Sequence, residues 1–161
     1  MQVTRSGTGS GTVTSSPAGI SCGSDCSNDF SYGTEVTLTA KAASGSGFTG
    51  WSGACSGTGS CVLTIREASS VNANFKKGPT VSLKAKPPKR THSRKATFRF
   101  KASQSGSTFK CRIDGKSWQK CKSPRTYKNL KRGRNHTFRV KATKGGITGP
   151  VKKYTWQVKR H

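Results

Sequence analysis

Apolar and polar residues alternate along most of the chain with a period of two, not the three-to-four spacing of a helix. Val36, Leu38 and Ala40 fall on one side of a run in which Thr37, Thr39 and Lys41 fall on the other, as in a half-buried strand. Gly11-Thr12-Val13-Thr14-Ser15, Cys61-Val62-Leu63-Thr64-Ile65 and Ser70-Val71-Asn72-Ala73-Asn74-Phe75 read the same way. Turn formers separate them at Ser6-Gly7-Thr8-Gly9-Ser10-Gly11, Pro17-Ala18-Gly19 and Ser44-Gly45-Ser46-Gly47. The first half thus predicts a small sheet of about five or six short strands. Trp51, Phe48 and Phe75 are its expected core anchors, with a sugar-stacking role as the alternative for Trp51.

The alternation continues beyond Gly78-Pro79, read as a short linker. Thr80-Val81-Ser82-Leu83-Lys84-Ala85 predicts a strand stopped by Pro87-Pro88. Ala96, Phe98, Phe100 and Ala102 alternate with Thr97, Arg99 and Lys101, and Phe109, Cys111 and Ile113 with Lys110 and Arg112. Asp114-Gly115 is a hairpin-turn pair, returning through Trp118 to Cys121. Tyr127 and Leu130 precede a turn at Gly133. His136, Phe138, Val140 and Ala142 then alternate with Thr137, Arg139 and Lys141, and Tyr154, Trp156 and Val158 with Thr155, Gln157 and Lys159. About seven short strands with turn signals every 8–12 residues read as an immunoglobulin-like sandwich. The expected fold class is all-β, a small β-rich module over residues 1–77 followed by an immunoglobulin-like β-sandwich over 78–161.

Charge divides the chain at nearly the same place. Residues 1–75 carry three bases and four acids, whereas residues 76–161 carry 27 Lys and Arg and one acid, Asp114. The first part has a net charge of −1 and the second +26, which together make the +25 of the whole chain. Such asymmetry points to a polyanionic partner. On each predicted strand the cations lie opposite the apolar residues. Lys110, Arg112, Arg139, Lys141 and Lys159 are expected to share the outer face of one sheet, and the turn Lys131-Arg132-Gly133-Arg134 adds three charges at one end. These eight cations are the candidate polyanion-binding residues. A merely solvated basic surface is the bland alternative, weakened because a single acid leaves almost no salt bridges to offset the self-repulsion.

The six cysteines fall into local couples, Cys22/Cys26, Cys55/Cys61 and Cys111/Cys121. Short loops close at the least entropic cost, so three local disulfides are expected, and these imply an oxidising compartment. A four-cysteine zinc site built from Cys22, Cys26, Cys55 and Cys61 is the alternative, which their spacings, with three and five residues between paired ligands, together fit poorly. No stretch approaches the roughly 20 apolar residues that span a bilayer. Met1-Gln2-Val3-Thr4 runs straight into a strand-like pattern and does not read as a signal peptide, so an excised piece of a larger exported protein is expected.

Two family resemblances sharpen these expectations. Gly11-Thr12-Val13, Pro17 to Cys22, Gly33 to Ala40, the block Phe48-Thr49-Gly50-Trp51-Ser52-Gly53-Ala54-Cys55, Cys61 and the closing Val71-Asn72-Ala73-Asn74-Phe75 resemble the divergent internalin B-type repeat of bacterial surface proteins, over residues 2–75. The resemblance implies a small extracellular β-rich module and no catalytic residue. Ala96-Thr97-Phe98-Arg99-Phe100, Ser107 to Gly115, Cys121-Lys122-Ser123-Pro124, Tyr127-Lys128-Asn129-Leu130 and His136 to Thr143 are similar to the bacterial Ig-like repeats of large exported proteins, over roughly residues 79–159. Those repeats are usually neutral or acidic outside. Here Lys144 follows Ala142-Thr143 where an acid is more usual, so the resemblance implies the sandwich and an extracellular setting but does not account for the charge.

The function expected is non-catalytic. The second half has one carboxylate, and His92, His136 and His161 are scattered along the chain. No cofactor motif is present, and no recognition helix, zinc finger or RNA-binding signature is found. Trp118 is the one aromatic expected to be exposed. The expected location is secreted or on the cell surface, and the expected partner is an anionic polymer such as teichoic acid, lipopolysaccharide or an acidic glycan. Non-specific binding of nucleic acid, including extracellular DNA, and self-association of repeats into a stalk or fibre are the alternatives.

Overall fold

The computed structural model describes residues 1–160, so His161 lies outside the described residues. Two compact units follow one another, the first ending at Lys77 and the second starting at Gly78. All regular structure among the described residues is β, and no helix there is long and apolar enough to cross a membrane.

The first unit contains β1 (Gln2–Ser6), β2 (Gly11–Ser16), β3 (Ser21–Cys22), β4 (Glu35–Ala42), β5 (Ser46–Gly53), β6 (Cys61–Thr64) and β7 (Ser70–Lys77). They form two sheets, β1-β7-β5 and β3-β2-β4-β6, with β1 and β7 parallel and the other pairs antiparallel. Alternation decides what is buried: Val36 and Leu38 of β4 meet Val71, Ala73 and Phe75 of β7 in one apolar cluster. Trp51 is 5 % exposed and its indole N–H donates to the Gly59 carbonyl at 2.6 Å. Phe48 packs edge-on to Trp51 at 4.9 Å and against Phe75 at 5.5 Å. Trp51 is therefore a core residue with its polar handle satisfied, not a sugar-stacking platform. Lys76 and Lys77 close β7 and so belong to this unit.

The second unit contains β8 (Val81–Ala85), β9 (Arg90–Thr91), β10 (Ala96–Ala102), β11 (Thr108–Ile113), β12 (Gln119–Cys121), β13 (Arg125–Tyr127), β14 (Arg134–Lys144), β15 (Ile147–Thr148) and β16 (Lys152–Val158). One sheet runs β13-β10-β8 and the other β12-β11-β14-β16-β9, with β15 paired to β14 and β9 parallel to β16. This division of strands is that of an immunoglobulin-like sandwich. The sheets meet through aromatics: Phe98 of β10 stacks on Phe138 of β14 at 4.1 Å and lies 5.2 Å from Trp156 of β16. Phe98, Phe138 and Trp156 are essentially shielded from solvent. The count exceeds the seven strands expected because β9 and β15 have two residues each, too few to carry an alternating pattern.

All six cysteines are bonded, as Cys22–Cys26, Cys55–Cys61 and Cys111–Cys121, with none left free for a zinc site. The last bridge joins β11 to β12 within the larger sheet.

A close backbone approach closes the second unit at its start. Gly78, Pro79 and Gly149 are buried, and the Gly149 N–H donates to the Ala142 carbonyl at 2.9 Å. A Cβ on Gly149 would run into the Pro79 carbonyl. Gly149→Ala is therefore expected to destabilise this unit by about 1–3 kcal/mol through overpacking, read as a lowered transition in thermal unfolding. An unchanged transition would show that the backbone gives way easily there.

Candidate polyanion interface

The strand register brings four of the eight candidate cations together. Lys110 and Arg112 of β11 stand directly opposite Lys141 and Arg139 of β14, respectively. Their neighbours in sequence, Cys111, Ile113, Val140 and Ala142, fill the core, so these four point outward. The register adds two cations that the sequence did not single out. Lys120 of β12 faces Lys110, and Lys153 of β16 faces Arg139. Two rows result, Lys120-Lys110-Lys141 and Arg112-Arg139-Lys153, on strands about 4.8 Å apart. A third row on the same face, Thr137 with Thr155, is neutral, and its hydroxyls lie 3.1 Å apart.

The remaining four candidates sit apart. Lys131, Arg132 and Arg134 are exposed on the turn before β14 and at its first residue. Lys159 follows the end of β16, where its N–H donates to the Thr91 carbonyl at 2.8 Å. Arg134 is opposite Val158, so these four cluster at one end of the larger sheet and not in the rows. The shared outer face expected for Lys159 with Lys110 and Lys141 thus becomes a face and a separate terminal cluster.

Trp118 links the two rows. It is half-buried, not exposed as expected, because it folds back over the outer face between two cations. The Arg112 guanidinium carbon lies 4.7 Å from its ring centre and Lys141 Nζ 4.6 Å. Each such contact contributes about 0.5–1 kcal/mol at a partly exposed site and holds a long side chain in one place. Arg112 Nε is shielded from solvent and has no hydrogen-bond partner among the described residues.

The single acid of the second unit is engaged elsewhere. Asp114 Oδ2 lies 2.6 Å from His136 Nδ1, and Oδ1 accepts the Thr137 N–H at 2.8 Å. His136 is 3 % exposed, and its Nε2 donates to the Lys131 carbonyl at 2.8 Å. Both ring nitrogens are thus engaged, one by a carboxylate and one by a backbone carbonyl. His136 thereby fastens the basic turn to the Asp114-Gly115 turn, where Asp114 has φ of 50° and Gly115 of 77°. Sequence placed His136 on the inner face but gave no sign of this link, which depends on two turns distant in the chain. Burial raises the Tyr127 and Tyr154 phenols above their ordinary value, with Arg125 opposing it at Tyr127. Tyr154 accordingly stays a donor, to the Pro87 carbonyl at 2.8 Å.

Asp114→Asn keeps a residue that tolerates positive φ while removing the charge. It is expected to destabilise the second unit by about 1.5–3 kcal/mol, the usual value of a hydrogen bond to a charged group, measured as a shifted midpoint in urea unfolding. No shift would mean that Asp114 contributes only its backbone.

No curated protein sequence matches the chain. Among solved structures, it is similar to the fibronectin(III)-like modules of CbhA from Clostridium thermocellum, at 15 % identity over 98 % of this chain and 90 % of that one, with a TM-score of 0.39. Residues 1–79 match the family model of the divergent InlB B-repeat domain, in agreement with the resemblance read over residues 2–75.

Proposed function

We propose that this chain is a non-catalytic module of a secreted or cell-surface bacterial protein, whose second unit holds polyanions on the outer face of its larger sheet without sequence preference. One observation carries the proposal: four cross-strand pairs set like charge directly against like charge. They are Lys120 with Lys110, Lys110 with Lys141, Arg112 with Arg139, and Arg139 with Lys153. Directly opposed like charges destabilise a sheet, each on the order of 0.2–1 kcal/mol. The one salt bridge among the described residues pairs Asp114 with His136, and none reaches these cations. A chain of negative charge laid across the rows would, and would release its own counter-ions in doing so. The face is a sheet surface, and no helix among the described residues is available to enter a groove, so charge density rather than base sequence would be recognised. The three disulfides and the repeat-family match of residues 1–79 support the extracellular setting.

The test is affinity of the full chain for a heparin-like polymer over a salt series. Binding is expected to weaken linearly on a log–log plot, each engaged cation contributing about 0.7–0.9 to the slope. Arg139→Gln with Lys153→Gln should reduce that slope by about 1.5. Failure to bind in dilute buffer, or a slope untouched by the double substitution, would remove the face from this role. Trp118→Ala is expected to weaken binding about threefold at every salt concentration with the slope unchanged, because no charge is lost while two cations lose their support. An unchanged affinity would mean that Trp118 does not organise the face.

A further inference from the structure

A hollow of about 1130 Å³ opens at the edge of the cationic face, where the chain crosses from β12 in one sheet to β13 in the other. Lys110, Lys120, Lys122 and Arg125 all line it. It is at least as large as ordinary small-molecule sites, about 300–1,000 Å³. Asp114 lies beyond the opposite end of β11, so no side-chain carboxylate of the described residues lines the hollow with the four cations.

The segments that line it are held in place. The Cys111–Cys121 bridge ties β12 to β11, keeping Lys110 and Lys120 opposed. Ser123 Oγ accepts the Phe100 N–H at 2.8 Å, which pins the crossover to β10. The Arg125 guanidinium lies over the Tyr127 ring at 5.4 Å. The lining is not only charged. Phe109 and Pro124 contribute apolar surface, and the Phe109 ring is fixed edge-on to Phe100 at 5.0 Å. Thr143 and Thr148, their hydroxyls 2.8 Å apart, contribute polar groups.

We infer that this hollow is a subsite for an acidic saccharide, a ring bearing sulfate or carboxylate groups, an inference that rests on the polyanion reading above. Four cations around one hollow suit a unit charged at more than one point. Apolar surface beside hydroxyls suits a sugar ring, which has a hydrophobic C–H face and a rim of hydroxyls. A polyphosphate has no apolar face to set against Phe109 and Pro124. A nucleobase needs an open aromatic platform for stacking, and Phe109 is half-buried with its ring packed on Phe100. The hollow therefore supplies the chemical preference, and the charged rows supply affinity for the rest of the polymer.

The experiment uses the full chain and three probes: a heparin-derived tetrasaccharide, a long inorganic polyphosphate, and duplex DNA. Lys122→Gln with Arg125→Gln alters the hollow alone, at two exposed positions outside the core. Arg139→Gln with Lys153→Gln alters the rows alone. The hollow variant is expected to lose about tenfold in tetrasaccharide affinity and to stay within about twofold for polyphosphate. The row variant is expected to do the reverse. Parallel losses for both probes in the hollow variant would overturn the inference, leaving the hollow as part of a general field. So would tighter binding of duplex DNA than of a heparin chain matched in total charge. Thr143→Val with Thr148→Val, which changes no charge, should weaken the tetrasaccharide alone, and equal binding would count against a sugar occupant. Absence of binding to every probe would instead overturn the polyanion reading itself.

Discussion

The second unit depends on the contact between Phe98 and Phe138, one ring from each sheet, stacked at 4.1 Å with Trp156 against their flank. A strand turns its side chains alternately to its two faces. Once Phe138, Val140 and Ala142 are committed inward to that aromatic centre, Arg139 and Lys141 have no choice but the outer surface. The same holds for Cys111 and Lys110, and for Tyr154 and Lys153. The cationic face is thus the reverse side of the core. A slip of one residue would put lysines inside and phenylalanines in water, so the register that stabilises the sandwich also fixes which charges stand opposite one another.

That arrangement conflicts with itself, because each row sets cations side by side. The molecule tempers this only partly. Trp118 lies between Arg112 and Lys141 and offers the negative face of its ring to both. The single carboxylate is occupied in tying one turn to another through His136. What remains is an ordered concentration of positive charge on a face stiffened by a disulfide and a dense aromatic core. The strand register holds the Cα positions of these cations in place, because β11, β14 and β16 are paired along their length.

The strands were legible in the sequence because alternation is a local signal. Val36 to Lys41, Ala96 to Ala102 and His136 to Ala142 each state their own inner and outer sides. The disulfide couples were legible because their partners are near in sequence. Register was not. Nothing near Lys153 indicates that it will face Arg139, and Lys120 lies on a three-residue strand too short to show a pattern. Lys159 was placed on the shared face because its parity is right, but the strand ends one residue earlier and the sheet ends with it. Trp118 and the His136–Asp114 link depend on how irregular segments fold back, which periodicity does not encode. The hollow beside β12 belongs to the same class, since it is made by a crossover between sheets.

The margins of the larger sheet bear on how copies of this chain would meet. On one side β9 runs parallel to β16 for only two residues, soon after Pro87-Pro88, and on the other β12 is three residues long with Lys120 at its middle. Neither offers a long bare ribbon of amides and carbonyls for another molecule to zip onto. Polymerisation by backbone templating along these borders is therefore disfavoured. On the polyanion reading proposed above, copies in a larger array would share one negatively charged thread, as beads on a string and not as links in a continuous sheet.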